Sequence, residues 1–153
     1  MSIRARRSYA RQRRRWWQHL DAAYRATVYS AGEFAIRIGA RHPLLDARLV
    51  THAYHCWAFL TAANPRSRCL SEADNTARMA ALQAHLATQP VQVLPGQSEA
   101  DAPSVHGVWP PEPGVLVLGC SLALARQLGR AFGQYAVVYG ELKAPARLIW
   151  LVF

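Results

Sequence analysis

Thr61, Asn64 and Ser67 follow directly on an apolar run, Cys56-Trp57-Ala58-Phe59-Leu60, and Asn75 and Arg78 stand in the segment that comes next. Polar groups gathered at the mouth of a buried strand bind something or brace a loop. Arg78 and the start of its helix, which holds unpaired backbone N–H groups and a partial positive charge, suit an anion or a carboxylate. Asn64, Asn75 and, much later, Gln134 carry the paired donor and acceptor that read amide-like edges such as those of a nucleobase. Glu112 sits among Pro110, Pro111 and Pro113 just before the strongest apolar strand, where a carboxylate is costly to bury unless paired. Arg78 is an attractive partner for it. Such a pair is either scaffolding or part of a site in which Glu112 is a ligand contact or a general base. The bracing alternative has Asn75 and Arg78 satisfying carbonyls of the loop from Asn64 to Leu70. The candidate ligand-binding set is therefore Thr61, Asn64, Ser67, Asn75, Arg78, Glu112 and Gln134, its guest a small polar or phosphorylated molecule. Glu112 is the candidate catalytic residue.

The elements that must position these groups can be read from periodicity and punctuation. Residues from Trp16 to Arg25 can be helical; Ala26–Tyr29 and Glu33–Ile38 alternate in period two, with Ser30-Ala31-Gly32 as the turn of a hairpin. Pro43 opens a helix ending near Tyr54, whose stripe should lie on a sheet. The apolar run through Trp57 to Leu60 is a strand that ends at the Asn64-Pro65 turn. Ser71-x-x-Asp74 then starts a helix to about Thr88, close to a capping box with Asp in place of Glu. Its buried stripe of Met79, Leu82 and Leu86, extended backward by steps of three and four, reaches Asn75 and Arg78, so both should look inward. Val91–Leu94 reads as a strand, 95–104 as a polar Pro/Gly loop, Val105–Trp109 as another short strand, and Pro110–Gly114 as a stiff turn. Val115–Leu118 is the most apolar strand. Leu122–Phe132 is a helix in which Gly129 permits close approach, and Tyr135–Tyr139 and Leu148–Val152 are the last strands. About three core helices on one mixed or largely antiparallel sheet make an α+β domain.

Other constellations point to simpler roles. Gly119-Cys120-Ser121-Leu122-Ala123 looks like a nucleophile elbow, but Ala123 stands where the last glycine belongs and no His follows His106 as the α/β-hydrolase order requires, so the pattern argues against a hydrolase and Ser121 is better read as an N-cap. His52, His55 and Cys56 crowd together without a second ligand cluster, so no metal is implied. The remaining histidines are scattered singly. Cys56, Cys69 and Cys120 are odd in number and lack a C-x-x-C pair, the pattern of reduced thiols in a cytoplasmic protein. No cofactor is implied.

The 153 residues suffice for one domain, with 52% hydrophobic and 18% charged residues and no apolar run of membrane-spanning length. The formal charge of +9 is concentrated at one end. Arg4, Arg6, Arg7, Arg11, Arg13, Arg14 and Arg15 all precede the first acidic residue, Asp21, and without those seven the charge falls to +2. Seventeen Arg against one Lys, Lys143, suggests a GC-rich coding bias. Residues 1–20 read as an Arg-rich flexible leader, from a mis-called start, or as an arm that meets nucleic-acid phosphates while Tyr9, Trp16 and Trp17 stack on bases, or as an organellar presequence. Residues 21–153 read as the single folded domain. The sequence sets no oligomeric state.

Taken together, Tyr24-x-x-Thr27-x-Tyr29, Ala58-Phe59-Leu60-Thr61-Ala62-x-Asn64-Pro65-x-Ser67, Asn75-x-x-Arg78 with Leu82, Trp109-x-x-Glu112 and Leu128-Gly129-x-x-Phe132-Gly133-Gln134 resemble a bacterial family classified as domain of unknown function 3293. The resemblance spans roughly residues 22–142 and leaves out the Arg-rich leader. It implies that the right residues have been singled out and supplies no reaction. Three functions therefore stand side by side: binding of a small polar or anionic ligand, nucleic-acid binding through the arginines, and an enzyme with Glu112 as base.

Overall fold

The computed structural model describes residues 3–101 and 110–151. Among them the chain forms α1 (Ile3–Arg25), β1 (Thr27–Ala31), β2 (Phe34–Ile36), α2 (Pro43–Thr51), β3 (Cys56–Leu60), α3 (Glu72–Leu86), β4 (Gln92–Ala100), β5 (Glu112–Leu118), α4 (Leu122–Ala131), β6 (Ala136–Glu141) and β7 (Arg147–Trp150). The strands make one seven-stranded sheet in the order β2-β1-β4-β5-β3-β6-β7, antiparallel at every pairing. This is the α+β architecture that the sequence implies.

Alternation of side chains along the central strands splits the core in two. Ala58, Leu60, Val115, Val117, Val137 and Tyr139 face one way, onto Met79, Leu82 and Leu86 of α3 and Ala125 and Leu128 of α4. Trp57, Phe59, Leu116, Leu118 and Val138 face the other way, onto Leu45 and Leu49 of α2, with Tyr24 of α1 packed against the same cluster. A strand buried on both faces reads as an unbroken apolar run, which is why β3 and the end of β5 stand out in the sequence. Each large side chain so buried contributes about 1.5–3 kcal/mol. Ser71 and Ser121 cap α3 and α4, their hydroxyls accepting from the N–H groups of Asp74 and Leu124. Gly129 lets α4 settle on the sheet, since a Cβ there would lie 2.4 Å from Leu151 Cδ1 and 2.8 Å from Val137 Cγ1.

Several expectations are corrected. The stretch expected as a polar loop from 95 is mostly strand, because β4 continues to Ala100 between β5 on one side and β1 on the other. Pro95 is tolerated because it precedes the part of β4 that pairs with β1, which begins at Gly96. Likewise β5 begins at Glu112, so Glu112, Pro113 and Gly114 are not a free turn but pair with Ser98, Gln97 and Gly96. Gly114 makes room for the Phe59 ring, which a Cβ there would approach to 2.5 Å, whereas a Cβ on the opposed Gly96 would first meet the Ser30 carbonyl oxygen of β1 at 2.2 Å and the Phe59 ring only at 3.2 Å. Composition signalled turns here; ring packing is what Gly114 serves, and close approach of the neighbouring β1 backbone is what Gly96 serves. The first hairpin turns at Gly32-Glu33, one residue later than the spacing suggests. Helix α1 starts at Ile3, well before Trp16, in a segment of helix-compatible Arg and Ala without Pro or Gly. The strand expected at Val105–Trp109 lies outside the described residues.

Candidate functional site

The site is assembled where β3 ends beside the start of β5. Beyond Leu60 the chain must turn across β5, and Thr61 makes the first stitch: its Oγ1 donates to the Pro113 carbonyl at 2.7 Å and accepts from the Ala63 N–H at 3.0 Å. Next, the Ala62 N–H points at Met79 Sδ, 3.3 Å away, a weak acceptor that ties the loop to α3. Asn64 then adopts the left-handed conformation, φ 44°, and Arg66 and Ser67 follow it there at 53° and 56°. Asn tolerates this backbone; Arg and Ser adopt it at a cost on the order of 1 kcal/mol each, which the surroundings must offset.

Side chains far apart in sequence supply that offset. Asn64, buried, makes three side-chain bonds: Nδ2 donates to Glu112 Oε1 at 2.7 Å, and Oδ1 accepts from the Leu70 N–H and from Asn75 Nδ2, both at 2.9 Å. Its backbone N–H donates back to Asn75 Oδ1 at 2.9 Å, so the two asparagines clasp each other. One α-helical turn after Asn75, Arg78 Nε donates to the Ala62 carbonyl at 2.6 Å and a terminal nitrogen to the Phe132 carbonyl at 2.5 Å. Its guanidinium carbon also lies 6.0 Å from the centre of the Phe132 ring. Gln134, buried, donates from Nε2 to Ala63 at 3.0 Å and to Phe132 at 3.3 Å. The Arg66 N–H closes the set on the Gly133 carbonyl at 2.9 Å. Loop 61–70 is thus held by α3, by the start of β5 and by the turn after α4.

Six of the seven residues singled out in the sequence, Thr61, Asn64, Asn75, Arg78, Glu112 and Gln134, meet in this cluster, and both Asn75 and Arg78 look inward as the helical stripe implies. Ser67 does not join it and stands exposed with Arg66, Arg68 and Cys69 at the outer bend of the loop. The carbonyls Arg78 satisfies are those of Ala62, just before the stretch the sequence suggested, and of Phe132 at the end of α4, so neither lies within it. Glu112 Oε1, for which Arg78 was the attractive partner, receives the Asn64 amide. The Asn64, Asn75 and Gln134 amides that could read a nucleobase are bonded to one another, to Glu112 and to the backbone.

Two residues near Glu112 carried no role in the motif reading. Tyr24 and Tyr29 titrate far above the ordinary phenol range, first because they are buried, with the Glu112 carboxylate the next cause for Tyr24 and a lesser one for Tyr29. The Tyr29 hydroxyl donates to the Tyr24 carbonyl at 3.1 Å. Ser98 of β4 pairs with both Glu112 and Tyr29, which puts Glu112 in register with Tyr29 two strands away. The signal in the sequence was the Tyr24-x-x-Thr27-x-Tyr29 spacing.

Elsewhere the chemistry is quiet. Burial raises the Cys56 thiol and pushes Cys120 up to about 12, so both are protonated at neutral pH, and Cys69 is exposed; all three are free thiols. Among the described residues no three His, Cys, Asp or Glu side chains group to hold a metal ion, and no helix is long and apolar enough to cross a membrane. Arg4, Arg6, Arg7, Arg11, Arg13, Arg14 and Arg15 are exposed on α1 and make none of the hydrogen bonds of the cluster. Trp16 and Trp17, candidates for base stacking, lie 5.1 and 6.0 Å from Tyr135, and Trp17 lies 5.0 Å from Trp150, joining α1 to β7.

No curated protein and no solved structure matches the chain. A sequence model does match residues 60–137, about half of the 153 and a stretch holding every residue of the cluster, though neither Tyr24 nor Tyr29; by that match the chain belongs to the family described as Protein of unknown function (DUF3293).

Proposed function

We propose that this chain is a binding domain whose recognition element is the bend Arg66-Ser67-Arg68, and that its ligand is a small anionic molecule. One observation carries the reading: three left-handed non-glycine residues within four positions, held by side chains from three separate elements. Strained backbone persists where its surroundings over-determine it, and such places cluster at ligand clamps and switch regions. Asn64, Asn75, Arg78, Glu112 and Gln134 are then the frame, with Thr61 as its anchor on β5. Ser67 is the candidate contact that the frame leaves outside, and the flanking guanidiniums of Arg66 and Arg68 suit phosphate or carboxylate groups. The frame supplies preorganisation, which lowers the entropy cost of ordering a loop around its guest.

A thermal-shift series against inorganic phosphate, citrate and nucleoside monophosphates tests this. A ligand at a hundred times its dissociation constant stabilises by about 2.7 kcal/mol, which for a domain of this size is a rise of roughly 5–10 °C in Tm. The expected result is such a rise with at least one of these anions, lost in the double variant Arg66→Ala, Arg68→Ala, whose ligand-free Tm stays within about 1–2 °C of the parent because both side chains are exposed. No rise with any anion, or a rise that the double variant keeps, overturns the proposal.

A further inference from the structure

Helix α1 runs 23 residues with none of them buried, and its first four turns carry arginine at a regular helical interval. Arg4, Arg7, Arg11 and Arg15, with Ser8 and Gln12, lie along one exposed strip of it. At 1.5 Å per residue these four guanidiniums span about 16 Å on one face. Two features make the strip unfavourable for the isolated helix. Like charges three and four residues apart repel, and positive charge at a helix N-terminus opposes the macrodipole. No acidic residue lies between Ile3 and Leu20 to relieve either. A polyanion laid along the strip relieves both.

We propose that the first four turns of α1 bind the phosphodiester backbone of nucleic acid, through Arg4, Arg7, Arg11 and Arg15. A duplex presents one negative charge per roughly 1.7 Å of its axis, so a 16 Å contact offers about nine phosphates to four forked guanidiniums. An anionic membrane is the poorer fit. The exposed turns show no single apolar stripe, since Ile3 and Ala10 fall on one flank and Ala5 and Tyr9 on another, with Arg6 and Arg13 between them. The tryptophans that would enter an acyl layer are turned toward Tyr135 and Trp150. That second set of contacts also fixes the helix on the body of the domain, so the strip is presented as a unit. The site is independent of the loop at Arg66–Arg68.

The test is fluorescence anisotropy on the full chain with labelled duplex DNA, duplex RNA and single-stranded RNA across 50–300 mM salt, against poly-glutamate and vesicles containing phosphatidylserine. The expected result is binding to at least one nucleic acid with a log–log salt slope of about −3 to −4 for four phosphate contacts. The relative affinities then tell which polymer supplies the backbone. Arg7→Gln with Arg11→Gln should weaken binding at least ten-fold and reduce the slope by about two, whereas Arg6→Gln with Arg13→Gln, which removes the same charge from off the strip, should change affinity less than three-fold. Equal losses from both pairs, no nucleic-acid binding at 50 mM salt, or tighter binding to poly-glutamate or to vesicles overturns it.

Discussion

Asn64→Ala is expected to destabilise the fold by about 3–5 kcal/mol, lowering Tm by roughly 6–20 °C. Three side-chain hydrogen bonds disappear together, and their partners are left behind: the Leu70 N–H, the Asn75 amide and the Glu112 carboxylate. Each stranded group in a half-buried place costs about 1–3 kcal/mol, and the one to Glu112 is charge-assisted. Alanine adds a backbone cost that asparagine avoids, because φ at this position is 44°. Asn64→Gly separates the two contributions: it loses the same three bonds but accepts the left-handed backbone, so it should be about 1 kcal/mol more stable than the alanine variant. Equilibrium urea unfolding of the three proteins measures both differences. If alanine and glycine each cost less than 1 kcal/mol, Asn64 is not the centre of the loop's support.

The second large effect concerns Arg78, whose guanidinium the sequence allowed to be either an anion holder or a brace. Arg78→Met keeps the length and apolar stem of the side chain and removes its two bonds to the Ala62 and Phe132 carbonyls. Arg78 is only half-buried, so water replaces part of what is lost, and the expected cost is about 2–3 kcal/mol in urea unfolding. Arg78→Lys should recover less than half of that, because one ammonium cannot reach two carbonyls from the fork geometry of arginine. The outcome separates the two roles. A brace loses stability with or without ligand present; an anion holder loses binding while the midpoint of the ligand-free protein stays put.

Much of this arrangement was legible before any coordinates. Helix periodicity alone turned Asn75 and Arg78 inward, because they extend the stripe of Met79, Leu82 and Leu86. Serine spacing marked both N-caps, and unbroken apolar runs marked the doubly buried strands. What misled was punctuation. Pro95, Gly96, Pro113 and Gly114 announce turns by composition, yet they lie paired across β4 and β5, because Gly114 admits the Phe59 ring, Gly96 admits the Ser30 carbonyl of β1 and Pro95 has β5 alone beside it. That is tertiary context overriding local propensity. The partners within the cluster were also beyond reach of pattern. A side chain's inward face follows from periodicity, but whether Arg78 meets a carboxylate or two carbonyls depends on where β5 and the turn after α4 arrive. That Tyr29 shares a cross-strand row with Glu112 depends on β1 lying two places from β5 in the sheet, which no local spacing encodes.

Loop 61–70 is held rigid by side chains from elsewhere in the fold, and native-state hydrogen exchange on the amides of Asn64, Arg66 and Leu70 tests that without any ligand. Their N–H groups donate to Asn75 Oδ1, to the Gly133 carbonyl and to Asn64 Oδ1. The prediction is protection of all three in the parent protein, at least a hundred-fold slower than an open loop, and its loss for Asn64 and Leu70 in Asn75→Ala while amides of Val115 to Leu118 in β5 keep theirs. Exchange of Asn64 and Leu70 at open-loop rates in the parent, or their unchanged protection in Asn75→Ala, would contradict it.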